Sequence, residues 1–279
     1  MNPSLPDTLR AAARTLAATP IASLFGRDRE RVERLTWTWE GFRVDLSKER
    51  ITREAMAGLC AHAEDAGLAR WIAALLAGEK VNVSEGRPVL HPALRDASDT
   101  PLVVDGADLR GDIRAMKAKV AGLADEIRRG VRAGAGGKPI RHLVHLGIGG
   151  SDLGPRLVVG ALRGEPRAGE PGVSFVANVD PVALDRALAP LDPGATLFVI
   201  ASKGFATQET LANARAARDW LAAALPPDAD PMRHFVAATA NPKGAAAFGI
   251  PADAILGFHE GVGGRFSLWS PVGVTIAAA

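Results

Sequence analysis

The chain has 279 residues, of which 47% are hydrophobic, enough to bury a sizeable core in one large domain or two modest ones. Its formal net charge is only +2, with Lys and Arg interspersed among Asp and Glu, so no nucleic-acid footprint stands out. A single cysteine, Cys60, cannot close an intrachain disulfide; in its Ala-rich helical stretch it reads as a small buried hydrophobe in a cytosolic, that is cytoplasmic, protein.

In chain order, the first twenty residues carry scattered charges and no long apolar core, so they predict neither a signal peptide nor a membrane span. Residues 1–135 read as a helical N-terminal region. Thr52 is an N-cap candidate for the stretch REAMAGLCAHAEDAG. Ile113, Met116, Val120, Leu123, Ile127 and Val131 recur at helical spacing, and AGAGGKP (133–139) is the loop that ends that helix. From residue 136 onward the pattern changes. The runs IRHLVHL, GVSFVANV, ATLFVIAS, RHFVAAT and AILGF alternate with helical segments, which predicts a doubly wound α/β domain with a parallel sheet covered on both faces. In such sheets ligands bind beyond the carboxyl ends of the strands. The closing stretch GGRFSLWSPVGVTIAAA begins an apolar helix without a C-cap, so the domain reads as truncated.

Three post-strand loops hold the candidates. In LGIGGSDLGP, Gly150 and Ser151 lie in a Gly-Gly-Ser nest at a helix start, able to offer N–H groups and a hydroxyl to a phosphate or sugar oxygen; the alternative is a tight turn and nothing more. Asp152 stands where a dinucleotide fingerprint needs its last glycine, which disfavours a nucleotide-dependent oxidoreductase. In ASKGFATQET, Ser202 and Thr207 supply hydroxyls, Lys203 a charge, and Gly204 an N–H ahead of a long helix; the plainer reading makes Ser202 a turn residue and Thr207 an N-cap. In EGVGGRFSLWS, Gly263 and Gly264 permit close backbone approach and Arg265 projects a permanent cation, suited to a developing oxyanion or to an ordinary surface ion pair. His142 and His145 sit three apart in a strand and point to opposite faces, so they share no metal; no metal and no cofactor are indicated. Trp37, Trp39, Trp71, Trp220 and Trp269 read as core residues.

Together these loops resemble phosphoglucose isomerase. LGIGGSDLGP is similar to that family's first sugar-phosphate loop, ASKGFATQET to its Ser-Lys-Thr-Phe-Thr-Thr phosphate loop, and GVGGRFSLWSPVG to its Gly-Gly-Arg signature; VNVSEGRPVLHPALR (81–95) resembles a segment of its helical region. The resemblance implies a sugar-isomerase domain in which Gly150, Ser151, Ser202, Lys203, Gly204 and Thr207 hold a sugar phosphate while Arg265 stabilises an enediolate, with no cofactor. It further implies isomerisation of glucose 6-phosphate and fructose 6-phosphate in glycolysis and gluconeogenesis by a homodimer whose site borrows a neighbour's histidine. This chain departs from the family at Gly204 and Ala206, where the family has Thr; a lost hydroxyl contact there is worth about 1 kcal/mol. Family members are much longer, and their glutamate base, ring-opening histidine and C-terminal lysine have no counterpart motif here. The expectation is therefore an incomplete isomerase that binds but does not turn over; the alternative is a non-catalytic sugar-phosphate-binding module.

Overall fold

Five short apolar runs become five parallel strands, since a strand covered on both faces needs no polar alternation. The computed structural model describes residues 4–164 and 169–279. His142–Leu146 (β1), Gly172–Val176 (β2), Thr196–Ala201 (β3), Phe235–Thr239 (β4) and Ile255–Gly257 (β5) form one sheet in the spatial order β2-β1-β3-β4-β5. All pairings are parallel: Leu146 lies opposite Val176 on one side and Ile200 on the other, Phe198 opposite Phe235, and Ala237 opposite Ile255. Six helices accompany the sheet: Arg110–Arg128 (α1), Leu153–Leu162 (α2), Pro181–Leu188 (α3), Gln208–Ala224 (α4), Pro242–Phe248 (α5) and Val274–Ala278 (α6). Right-handed crossovers put α2 on one face and α3, α4 and α5 on the other, while α6 packs against α1 and α2. The doubly wound arrangement expected from the alternation is present, and its strand order reverses between β1 and β3, the point at whose carboxyl edge such sheets as a rule bind ligands.

The sheet interior is sealed. Phe198 stacks on Phe235 with ring centroids 5.2 Å apart and meets Trp220 edge-on at 6.1 Å. Along α4, Ala214, Ala217 and Leu221 are fully buried at helical spacing, small residues that bring the helix close to the strands. On α1, Ile113 and Ile127 are buried as predicted, but the helix stops at Arg128, so Val131 lies beyond it and is exposed.

The chain divides into two compact units, Met1–Ala74 and Leu75–Ala279. The boundary expected at 135 falls inside the second unit, because α1 packs on α6 and β5. In the first unit, Leu16, Leu24 and Ala55 form a small core, and Thr52 caps the helix Arg53–Asp65 by accepting the Ala55 N–H at 3.2 Å. Buried Arg31 donates to the carbonyls of Ser47, Glu49 and Ile51, which satisfies a loop that has no ladder of its own. A hairpin, Thr36–Trp39 with Phe42–Asp45, was not expected from the sequence. It puts Trp37, Trp39, Phe42 and Val44 on one exposed face. The expectation that the tryptophans are core residues is corrected: Trp37, Trp39, Trp71 and Trp269 are exposed, and only Trp220 packs against the core. Cys60, expected buried, is also exposed, since it sits on the outer side of its helix. No helix among the described residues is long and apolar enough to cross a membrane.

Candidate functional site

The first loop begins where β1 ends, buried, at Leu146. Residues Gly149–Ser151 make a single 3-10 turn that feeds α2, with the Asp152 N–H donating to Gly149 O at 3.0 Å. Such a start presents N–H groups that lack acceptors inside the helix, at the positive end of its dipole. Asp152 itself is buried and holds Arg156 through both carboxylate oxygens, the closest contact being 2.8 Å, while the guanidinium lies over the Phe175 ring. That carboxylate anchors α2 and is not free for a ligand.

The second loop follows β3. Its backbone is clamped from β4: the Lys203 carbonyl accepts from the Thr239 hydroxyl at 3.0 Å and the Ala240 N–H at 2.9 Å, and the Gly204 carbonyl accepts from Asn241 Nδ2 at 3.1 Å. Phe205 adopts φ +48°, a left-handed conformation that a bulky residue takes only when held there. Its buried ring, edge-on to Phe248 at 5.9 Å, does the holding. The result is a turn that keeps Gly204 and Thr207 exposed at the start of α4. Thr207 occupies the N-cap position, yet its hydroxyl makes no cap bond; it lies 3.2 Å from the hydroxyl of Ser202, which is 2% exposed beneath it.

The third loop leaves edge strand β5 and doubles back across the sheet to β1. On the way Gly263 passes Lys203 so closely that an added Cβ would sit 3.1 Å from Lys203 Cδ. Gly264, at φ +65°, then presses its backbone on Gly150, where an added Cβ would fall 2.2 Å from the Gly264 carbonyl carbon. The Ser267 hydroxyl seals this contact, donating to Gly264 O at 2.7 Å and reaching Gly150 O at 3.4 Å. Arg265 is exposed, with its guanidinium 5.3 Å from the Phe266 ring centroid. Lys203 and Arg265 form no ion pair among the described residues. Three turns thus meet at the switch point, bringing hydroxyls, helix-start N–H groups and two unpaired cations. That combination suits an anion bearing several oxygens.

Residues 45–279 match the sequence model of the phosphoglucose isomerase family. The chain belongs to the phosphoglucose isomerase family. It is 47% identical over 273 residues to a glucose-6-phosphate isomerase of Aromatoleum aromaticum, a match that takes in 98% of this chain and 49% of the relative. In fold it is similar to the crystal structure of a glucose-6-phosphate isomerase from Chlamydia trachomatis, with a TM-score of 0.77 and 24% identity, covering 98% of this chain and 51% of that one. The chain therefore spans about half the length of the relatives it matches.

Of the residues selected from the sequence, Gly150 lies against Gly264 and Lys203 against Gly263, the two glycines that precede Arg265. Ser151 sits half-buried at the end of its turn, Gly204 and Thr207 lie on the open side of theirs, and Ser202 supports Thr207 from below. Glu209 is exposed in the first turn of α4. Thr239, Asn241 and His91 were missed. The His91 ring lies with Nε2 2.7 Å from Gly263 O and 3.0 Å from Gly263 N, gripping the loop that carries Arg265. Thr239 and Asn241 had a usable signal, being polar residues at the carboxyl end of a strand; His91 had none in its own neighbourhood.

His142 and His145 are separately bound, the former to the Ser174 hydroxyl and the latter to Thr275 and Ser151. Burial pushes the pKa of fully enclosed His145 down to about 4; the Ser151 carbonyl and Asp152 raise it and Arg156 lowers it further, but burial prevails. Burial also lowers the pKa values of His142 and His234. A histidine with a depressed folded pKa takes up its proton more readily unfolded, so its effect on stability is absent above the unfolded value near 6.5 and grows as pH falls toward the folded one. We expect stability to drop between pH 6.5 and pH 4 by about 3 kcal/mol from His145 alone. Urea denaturation midpoints across that range check this; a flat profile in the native chain would contradict the assignment.

Proposed function

We propose that the crevice binds the phosphate of a six-carbon sugar phosphate, and that in the full-length enzyme it serves the interconversion of glucose 6-phosphate and fructose 6-phosphate. The close approach of the Gly263–Gly264 segment, which carries Arg265, to Lys203 on one side and to the turn at Gly150 on the other supports this reading. In the proposed roles, the Ser151, Ser202 and Thr207 hydroxyls and the N–H groups of Gly150 and Gly204 hold substrate oxygens while Lys203 supplies charge. After ring opening, a base removes the C2 proton, and the electron pair passes to the carbonyl oxygen at C1. Arg265 stabilises the enediolate that results; a proton passes from O2 to O1, and as the carbonyl forms at C2 reprotonation at C1 completes the ketose. The base is assigned to no residue of this chain, so the chain alone is expected to bind without isomerising. The complete enzyme is proposed to be a cytoplasmic homodimer.

Isothermal titration of the chain with fructose 6-phosphate, and with inorganic phosphate in parallel, tests binding; heat from neither would refute it. A coupled assay for glucose 6-phosphate formation tests the lack of turnover. Gly204 offers a further test, because an added Cβ there meets nothing within 4 Å. Gly204→Thr is expected to tighten phosphate binding about 5-fold, the effect of one added hydroxyl contact of about 1 kcal/mol. Unchanged affinity would remove position 204 from the proposed site.

A further inference from the structure

We propose that His145 is a positioning residue, whose ring donates from Nε2 to the Ser151 carbonyl, accepts at Nδ1 from the Thr275 hydroxyl, and so sets the turn that carries Gly150 and Ser151. The two distances are 2.7 and 2.8 Å. A carbonyl can only accept, so the proton sits on Nε2; Nδ1 is then left to accept, and the Thr275 hydroxyl is the donor beside it. The ring is wholly enclosed, with Phe175 5.3 Å away, and water cannot replace either partner. Burial on this scale keeps the ring neutral near pH 7.

The placement matters more than the burial. His145 belongs to β1, Ser151 closes the first loop, and Thr275 lies in α6, just beyond the segment that carries Arg265. One imidazole therefore ties the rigid strand to both sides of the Gly150–Gly264 contact. If the Ser151 carbonyl swings away, the Ser151 and Asp152 N–H bonds to Ile148 and Gly149 lose their geometry, and the helix start no longer aims at the crevice. A leucine of similar volume would fill the space without fixing the carbonyl.

The functional part of this inference rests on the phosphate-binding reading; the structural part does not, and the experiment separates them. Asn places an amide near the Nδ1 position and Gln near Nε2, so His145→Gln keeps the bond to Ser151 while His145→Asn loses it. Amide hydrogen exchange followed by NMR is expected to speed up at least 10-fold at Ser151 and Asp152 in His145→Asn and to stay within 3-fold of native in His145→Gln, with β3 amides unchanged in both. Inorganic phosphate, titrated into each, is expected to bind about 10-fold more weakly to the Asn variant only. Equal acceleration in both variants, or none in either, overturns the proposal by reducing His145 to a space filler. Should the variants not fold, imidazole nitrogen shifts in the native chain decide: Nε2 protonated and Nδ1 bare supports it, and the opposite tautomer overturns it. Acceleration confined to the Asn variant in a chain that binds no phosphate upholds the positioning role and refutes the binding reading.

Discussion

Lys203→Ala is expected to weaken binding of fructose 6-phosphate by about 10- to 100-fold while leaving the fold intact, the range that corresponds to losing one charge-assisted contact of about 1.5–3 kcal/mol. The loop does not depend on the lysine side chain for its shape: Thr239, Ala240 and Asn241 hold its backbone, and Phe205 anchors it in the core. With no carboxylate paired to it among the described residues, the ammonium pays little to turn toward an anion. Its aliphatic stem already lies against Gly263, which limits the positions it can take. Titration calorimetry at two salt concentrations measures the effect, and the difference between native and variant should shrink at high salt because screening weakens an exposed charge. Equal affinity in the variant would show that Lys203 faces away from the ligand.

Gly150→Ala is expected to cost about 3 kcal/mol of stability, the upper part of the range for overpacking, and to abolish phosphate binding. The new methyl would have to occupy the volume of the Gly264 carbonyl, 2.2 Å from its carbon. A flexible side chain could move aside; this obstacle is backbone, held by Ser267 and His91 through its neighbours. Relief requires the two loops to separate, which is why binding should fall with stability. Gly204→Ala is the control, since nothing lies within 4 Å of its added Cβ and its midpoint in urea should match the native one. A Gly150→Ala chain with native stability would mean the loops are not in contact in solution.

The parallel strands were legible because both faces of each are buried, which makes each a continuous apolar run bounded by turns. The hairpin at residues 36–45 was not, although its Thr-Trp-Thr-Trp alternation and the Glu40-Gly41 pair, both at positive φ, are the marks of a tight β-turn. Aromatic residues suggested a core, but a two-stranded ribbon shows one face to whatever lies beside it, and sequence does not state what that is. The glycine and hydroxyl loops of the candidate site stood out because their chemistry is local. Their supports did not: His91 grips a peptide 172 residues away, and only folding makes that pairing visible. The packing of α1 was hidden for a similar reason, as a helix carries no mark of the sheet on which it will pack.

The doubling back of the third loop has a consequence for the order of assembly. Ser267 and Gly150 are separated by 117 positions, so the contact that closes the crevice is among the most distant in the chain. Pairings this remote form late, after nearer ones have repaid their loop-closure entropy. As the polypeptide is synthesised, the glycine turn after β1 waits through four further strands before its counterpart emerges. A nascent chain stopped short of Ser267 would therefore have all five strands synthesised while the hydroxyl that joins the third loop to the first is still missing.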